Sequence, residues 1–228
     1  MEPYEGPCDV TREYQKVVRA LFTKDHTDPV NPSDLMGAFR IRFPQFVGGA
    51  QHDAQEVILH LIDVFETSIG KQLVQDIFNG EDAQETAWAE GTSSVATPFT
   101  TLLLDVTEPC RLEDLLADRQ KERIIEDYAD TEGKRFQATV RTKVARWPKI
   151  VSFSFSMYDH KFPIEIPFEF EGKKLFACVL HQGAQRGGHY ALLVRRFEKW
   201  YVKDDCTVHE VPDPKTFRGE FYQAWYRP

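Results

Sequence analysis

The chain has 228 residues, with 28 Lys+Arg against 36 Asp+Glu, a formal charge of −8, and 42% apolar residues. That length supports one or two domains with a real core, and the acidic balance argues against a nucleic-acid protein, which would usually carry a basic face. No run approaches the roughly 18 uncharged apolar residues of a membrane span, and an N-terminus carrying Glu2, Glu5, Asp9 and Glu13 is too acidic for a signal peptide.

The first half reads as helical. Thr11 to Lys24 sets Tyr14, Val17, Val18 and Leu21 on one stripe, with Thr11 as its expected cap. His26 to Pro32 is a loop, with two prolines and two Asp/Asn turn formers. A short helix is expected from Pro32–Leu35 to about Arg42, and Phe46-Val47-Gly48-Gly49 is a break. From Gln51 to about Ile69, Val57, Ile58, Leu61, Ile62 and Phe65 recur at helical spacing. The small, polar stretch Gly80 to Thr97 reads as a mobile loop or a tip between strands.

After about Phe99 the period changes. Strands are expected at Phe99–Val106, Lys134–Val144 and Lys149–Tyr158, with a short helix at Leu112–Ala117. Further strands follow at Lys174–Gln182, His189–Phe197, Trp200–Lys203 and Phe221–Tyr226. Helices first and an antiparallel sheet afterwards make an α+β fold. The charge run Arg119 to Arg123 reads as solvated surface.

The cysteines are Cys8, Cys110, Cys178 and Cys206. No C-x-x-C pair exists, which removes the local zinc-finger pattern, and scattered thiols suit a reducing cytosolic or nuclear compartment. The seven histidines include no H-x-x-x-H or H-E-x-x-H pair, and no glycine-rich phosphate loop is present. The residues therefore imply neither a metal nor a cofactor.

Gly187-Gly188-His189-Tyr190 stands at the mouth of a strand. Alone, His189 reads as a partly exposed strand-start residue. A hairpin turn centred near 196.5 would set it opposite Asp204, with facing Cβ atoms roughly 4.5–5.5 Å apart. A carboxylate there can orient one imidazole nitrogen while the other acts as a base; such pairs also occur as purely structural contacts. A one-residue slip would bring Asp205 to the position instead. Asp53 and Glu56 form a D-x-x-E pattern, which reads either as a helix cap or as an acidic clamp for a basic peptide.

Together these segments resemble the ubiquitin-specific protease family of deubiquitinases. GGAQHDAQEVILHLIDVF looks like its Gln-x-Asp-Ala-x-Glu helix, and WPKIVSFSFSMYDHKFPIEIPFEF like its paired strands, with Ser156-Met157-Tyr158 in place of Lys-Arg-Phe. LFACVLHQGAQRGGHYALLVRRFEKWYVKDD looks like its histidine box, and FYQAWYRP like its terminal strand. The likeness spans roughly residues 14–228.

The resemblance implies a papain-like fold in one catalytic domain, 1–228. About 1–75 would form an N-terminally short helical thumb, about 76–148 β fingers without zinc, and about 149–228 an antiparallel β palm with the histidine box. It makes His189 the general base and Asp204 its orienting residue. Asp53, Glu56 and Gln51 would meet the arginine-rich tail of ubiquitin, and Gly187, Gly188 and Tyr190 would line the path of its terminal Gly-Gly. Ubiquitin or ubiquitinated proteins are the implied partners, with room for a further protein, and neither nucleic acid nor membrane.

The departures are specific. The family's cysteine box is absent, and the chain starts about where the helix after that box is expected. Cys8 is the candidate nucleophile within the chain: it precedes a helix, and Gln15 falls seven residues on, as a Gln does in the box. Pro3 stands where the box has an upstream Asn, and Cys8 to Gln51 is a short interval for the family. Cys110, Cys178 and Cys206 read as packing residues. Three functions stay open: a cysteine-dependent deubiquitinase using Cys8 or a nucleophile on another segment, a catalytically inactive ubiquitin-binding pseudoenzyme, and a protein-interaction scaffold.

Overall fold

The computed structural model describes residues 3–23, 29–48, 50–157, 161–184, 187–196, 198–212 and 217–228. Residues 26–28 of the expected loop, Gly49 of the expected break, Tyr158, Arg186 and Phe197 lie outside them. The chain divides into two compact units, Met1–Gln75 and Asp76–Pro228.

The first unit holds helices α1 (Asp9–Thr23) and α2 (Ser33–Arg42), a 3-10 turn at Pro44–Phe46, and helix α3 (Ala54–Ile69). Helix α4 (Lys71–Phe78) runs across the division. α1 begins two residues before the expected cap. Thr11 is buried within it, and its hydroxyl meets Ser68 of α3 at 2.6 Å, a tertiary contact that a capping residue would not make. The core is Val10, Phe39, Phe46 and Val64. Tyr14 of the expected stripe packs on Phe65, ring centroids 4.8 Å apart. Gly70, at φ 121°, ends α3 in a conformation that favours glycine and so separates α4, which the periodicity of α3 did not signal.

The second unit is built of strands. In chain order these are β1 (Gly80–Trp88), β2 (Gly91–Phe99), β3 (Leu102–Asp105), β4 (Cys110–Arg111), helix α5 (Leu112–Arg119), β5 (Arg123–Ala129), β6 (Arg135–Arg146) and β7 (Val151–Ser156). There follow β8 (Ile164–Ile166), β9 (Glu169–Phe170), β10 (Lys173–Ala184), β11 (Gly187–Arg196), β12 (Lys199–Asp204), β13 (Thr207–Val211), β14 (Phe217–Gly219) and β15 (Phe221–Arg227).

They form a four-stranded sheet β2-β1-β6-β5 and a sheet ordered β13-β12-β11-β10-β15-β7-β3, with β9 against β10. A three-stranded sheet β14-β8-β4 completes the unit. The palm sheet is antiparallel except that β3 runs parallel to β7. A parallel pair needs a long crossover, and the segment carrying α5, β5 and β6 supplies it.

The stretch Gly80 to Thr97 is the largest change from the sequence reading. It is neither a loop nor a tip but a hairpin of two nine-residue strands, with Gly80 opposite Phe99 and Trp88 opposite Gly91. Its small polar side chains show no apolar alternation: β2 is largely exposed, and β1 buries Thr86 in place of an apolar residue. Cross-strand pairs hold it instead: Lys143 with Glu85, Lys134 with Glu90, and the rings of Trp88 and Tyr128 at 5.1 Å. Arg119 is not solvated surface either. It pairs with Asp82 of β1, and both side chains are largely buried.

β7 departs in the opposite sense. Its Ser/Phe alternation would ordinarily put serine towards water, yet Ser152 and Ser154 are as buried as Phe153. Partners make this possible. Gln223 Nε2 donates to Ser154 Oγ at 2.9 Å, Ser152 Oγ meets Thr101 Oγ1 at 2.6 Å, and Trp225 Nε1 donates to Gln223 at 3.2 Å. The aromatic side packs Phe153 edge-on against Trp147, Phe170 and Tyr226. Among the described residues, no helix is long and apolar enough to cross a membrane.

Candidate functional site

Two hairpins place His189. β10 and β11 pair Gln182 with His189 and Gly183 with Gly188. β11 and β12 close at Arg196 opposite Lys199, so their centre lies one residue beyond the expected one, and Asp204 falls in register with Ala191 instead of His189. The displacement relative to His189 is two positions, an even number, and so keeps Asp204 on the same face. The carboxylate reaches His189 diagonally, and His189 Nε2 and Asp204 Oδ1 are hydrogen-bonded. Diagonal neighbours stand about 7–8 Å apart at the backbone, within reach of these side chains.

The face is the informative part. Alternation carries His189 onto the side of β11 that holds Ala191 and the buried Leu193, and Asp204 onto the side of β12 that holds Val202 and the buried Trp200. The pair therefore continues a core row to the rim of the sheet, where each side chain is 45% exposed. Asp204 is the last residue of β12. Its carbonyl accepts from Thr207 Oγ1 at 2.7 Å, across a turn whose Asp205 has φ 47°. Asp tolerates that left-handed conformation, and it takes Asp205 out of the ladder, leaving Asp204 to face the imidazole.

Asp204, first through the hydrogen bond and then through its charge, raises His189 above the usual imidazole value. Asp205 adds to this and partial desolvation opposes it. His189, Asp204 and Asp205 offer three donor atoms within 4.8 Å of one another. Such spacing suits a cation in principle, but the imidazole–carboxylate hydrogen bond already engages two of the three.

The other candidates lie in the first unit. Asp53 is the N-cap of α3, its carboxylate accepting from Gln55 N–H at 2.7 Å, and Gln51 is exposed just before it. Glu56 lies one turn in, 3.7 Å from His60 Nε2. Asp53 thus makes the helix-capping contact, while Glu56 remains half-exposed.

Cys8 immediately precedes α1, and its carbonyl accepts Arg12 N–H at 3.1 Å. It is half-buried against the core of Val10, Phe39, Phe46 and Val64. Tyr4 N–H donates to Gln15 Oε1 at 2.6 Å, fastening the preceding segment along the helix.

The remaining thiols differ. Cys178 is fully buried, and burial pushes its thiol up. Burial, with the Asp114 and Glu108 carboxylates, does the same to half-buried Cys110. Cys206 is exposed in the turn after Asp205 and is no packing residue, because the strand ends before it.

Sequence reasoning passed over three side chains beside the start of β11. His181 of β10 faces Tyr190, Tyr222 lies 5.6 Å from Tyr190, and Lys161 donates to the His181 carbonyl. The same hairpin parity, applied to β10 and β11, pairs His181 with Tyr190. A separate groove of about 570 Å³ between β3, α5 and β5–β6 includes Leu103, Leu115, Arg119, Ile124 and Ile125 in its wall, and no candidate site residue lines it.

The profile of the ubiquitin carboxyl-terminal hydrolase family matches residues 2–223. Ubiquitin carboxyl-terminal hydrolase 2 of Gallus gallus is 32% identical over 69 residues, which is 30% of this chain and 19% of that protein.

Two solved structures share the fold. One is the SAGA Ubp8/Sgf11/Sus1/Sgf73 DUB module bound to ubiquitin aldehyde, with TM-score 0.80 and 17% identity over 96% of this chain. The other is the SAGA DUB module of Ubp8, Sgf11, Sus1 and Sgf73 bound to monoubiquitin, with TM-score 0.81 and 17% identity over 99% of this chain. This chain spans 59% of the length of each matched chain, and about a fifth of the curated relative. The fold is the α+β, papain-like one of ubiquitin-specific proteases, and with its profile matched from residue 2 to residue 223 this chain belongs to the ubiquitin carboxyl-terminal hydrolase family.

Proposed function

We propose that residues 1–228 act as one deubiquitinase-type domain that binds ubiquitin and its C-terminal tail and cleaves the isopeptide bond through a thiol. The hydrogen bond between His189 and Asp204, at the rim of a core-backed sheet, carries this reading. In it, the imidazole takes the thiol proton and the thiolate attacks the isopeptide carbonyl carbon. The C–N bond then breaks, the imidazolium returns a proton to the leaving lysine amine, and water hydrolyses the thioester. Asp204 holds the ring in the productive tautomer.

The nucleophile is Cys8, whose position ahead of α1 and the fastening of Tyr4 to Gln15 support it, or a thiol on a segment outside this sequence. Asp53, Glu56 and Gln51 meet the basic tail, and Gly187, Gly188 and Tyr190 line the path of its two glycines. Ubiquitin or ubiquitinated proteins are the partners, and a further protein subunit fits the family. The place of action is the cytoplasm or nucleus, in keeping with four free, scattered cysteines.

A second reading has its own observation: Pro3 stands at the oxyanion-forming Asn of the family box, which favours an inactive ubiquitin-binding pseudoenzyme or scaffold. Ubiquitin bearing a C-terminal electrophile separates the two. A covalent adduct by mass, lost in Cys8→Ala, is the expected result. Plain ubiquitin binding without an adduct would support the pseudoenzyme, and no binding at all would leave only the interaction scaffold.

A further inference from the structure

We infer that His181 is a positioning residue for His189: its imidazole fills the space over Gly188 and holds the β10–β11 tip so that His189 faces Asp204. The consequence for chemistry rests on His189 being the base, whereas the positioning itself does not. Register sets His181 opposite Tyr190, and alternation sets it on the face with Gly188, away from His189. It therefore acts through the backbone and not by touching the reacting groups.

The fit is close on every side. A Cβ added at Gly188 would stand 2.1 Å from His181 Nε2 and 2.6 Å from the Gln182 carbonyl, so only glycine leaves room for the ring. Gly183, opposite Gly188, has φ 115°, and a Cβ there would meet the Gly187 carbonyl at 2.6 Å. The His181 ring lies 4.6 Å from Tyr190 and 6.1 Å from Tyr222. Lys161 Nζ donates to the His181 carbonyl and sits 3.4 Å from Nδ1. Lysine has no acceptor, so Nδ1 accepts and the Nε2 edge is turned to Gly188.

One strand residue thus closes the back of the tip while the next but one to Gly187 presents the imidazole forward. A diagonal His–Asp contact has less slack than a facing one, so a small tilt of this tip is enough to part His189 from Asp204.

The test follows the His189 ring by NMR across pH in the full chain, with His181→Phe and His181→Ala. The wild type and His181→Phe, which keeps a ring over Gly188, are expected to titrate above 6.5. His181→Ala is expected to shift the midpoint down towards 6.5 as the contact with Asp204 loosens. Gly188→Ala drives a methyl into the same ring without emptying the site and is expected to do likewise, so the result does not hang on one variant folding. If both folded variants keep the wild-type titration, the inference is overturned.

The rate of adduct formation with electrophile-bearing ubiquitin is the second arm, with an expected loss on the order of 10²-fold in His181→Ala and recovery in His181→Phe. Should the wild type form no adduct, the proposed activity fails while the titration still decides the role of His181.

Discussion

The finger sheet and the palm sheet are both long-stranded, yet different physics holds them. In the fingers, β1 and β2 present mostly small polar side chains, and the ladder, cross-strand ion pairs and the Trp88–Tyr128 contact provide the order. In the palm, β7 is buried on both faces, with Phe153 in an aromatic cluster and its serines in a closed hydrogen-bond network. The comparison teaches where a reactive pair can be mounted. His189 and Asp204 extend the core rows of Leu193 and Trp200, so their geometry inherits the stiffness of a packed sheet.

Substitutions can break this contrast. Phe153→Ala, at a fully buried site, should cost about 3–5 kcal/mol by loss of transfer energy and creation of a cavity, read as a lower denaturant midpoint. Trp88→Ala, at a partly exposed fingertip contact, should cost only about 1 kcal/mol and leave the palm transition in place. A Trp88→Ala loss as large as that of Phe153→Ala would erase the distinction between the two sheets.

The smallest effect is electrostatic. The folded value of His189 is raised by Asp204, so the stability it contributes is fully present below its unfolded value of about 6.5. That contribution fades as pH rises through the higher folded value. Asp204→Asn should lower the His189 midpoint in NMR and flatten the pH dependence of stability between those limits. An unchanged midpoint would show that the contact does not persist in solution.

The proximity of His189 and Asp204 was legible in the sequence. Residue spacing put His189 and Asp204 near one another, and although the hairpin centre was off by one, the even displacement preserved the face. Asp53 was legible as a cap because capping depends on a few adjacent residues. The finger hairpin was not legible, since β2 is largely exposed and β1 buries a threonine, so neither strand shows apolar alternation. Arg119 looked solvated because its partner Asp82 is far away in sequence.

Local pattern thus set the helices, most palm strands and the identity of the His/Asp pair, because periodicity, caps and hairpin parity act over a few residues. Folding in three dimensions alone settled that Ser152 and Ser154 are buried, that Gly80–Phe99 is a hairpin, and that His181 lies behind Gly188. Each of these depends on which distant side chain supplies the partner, and no short stretch of sequence contains that.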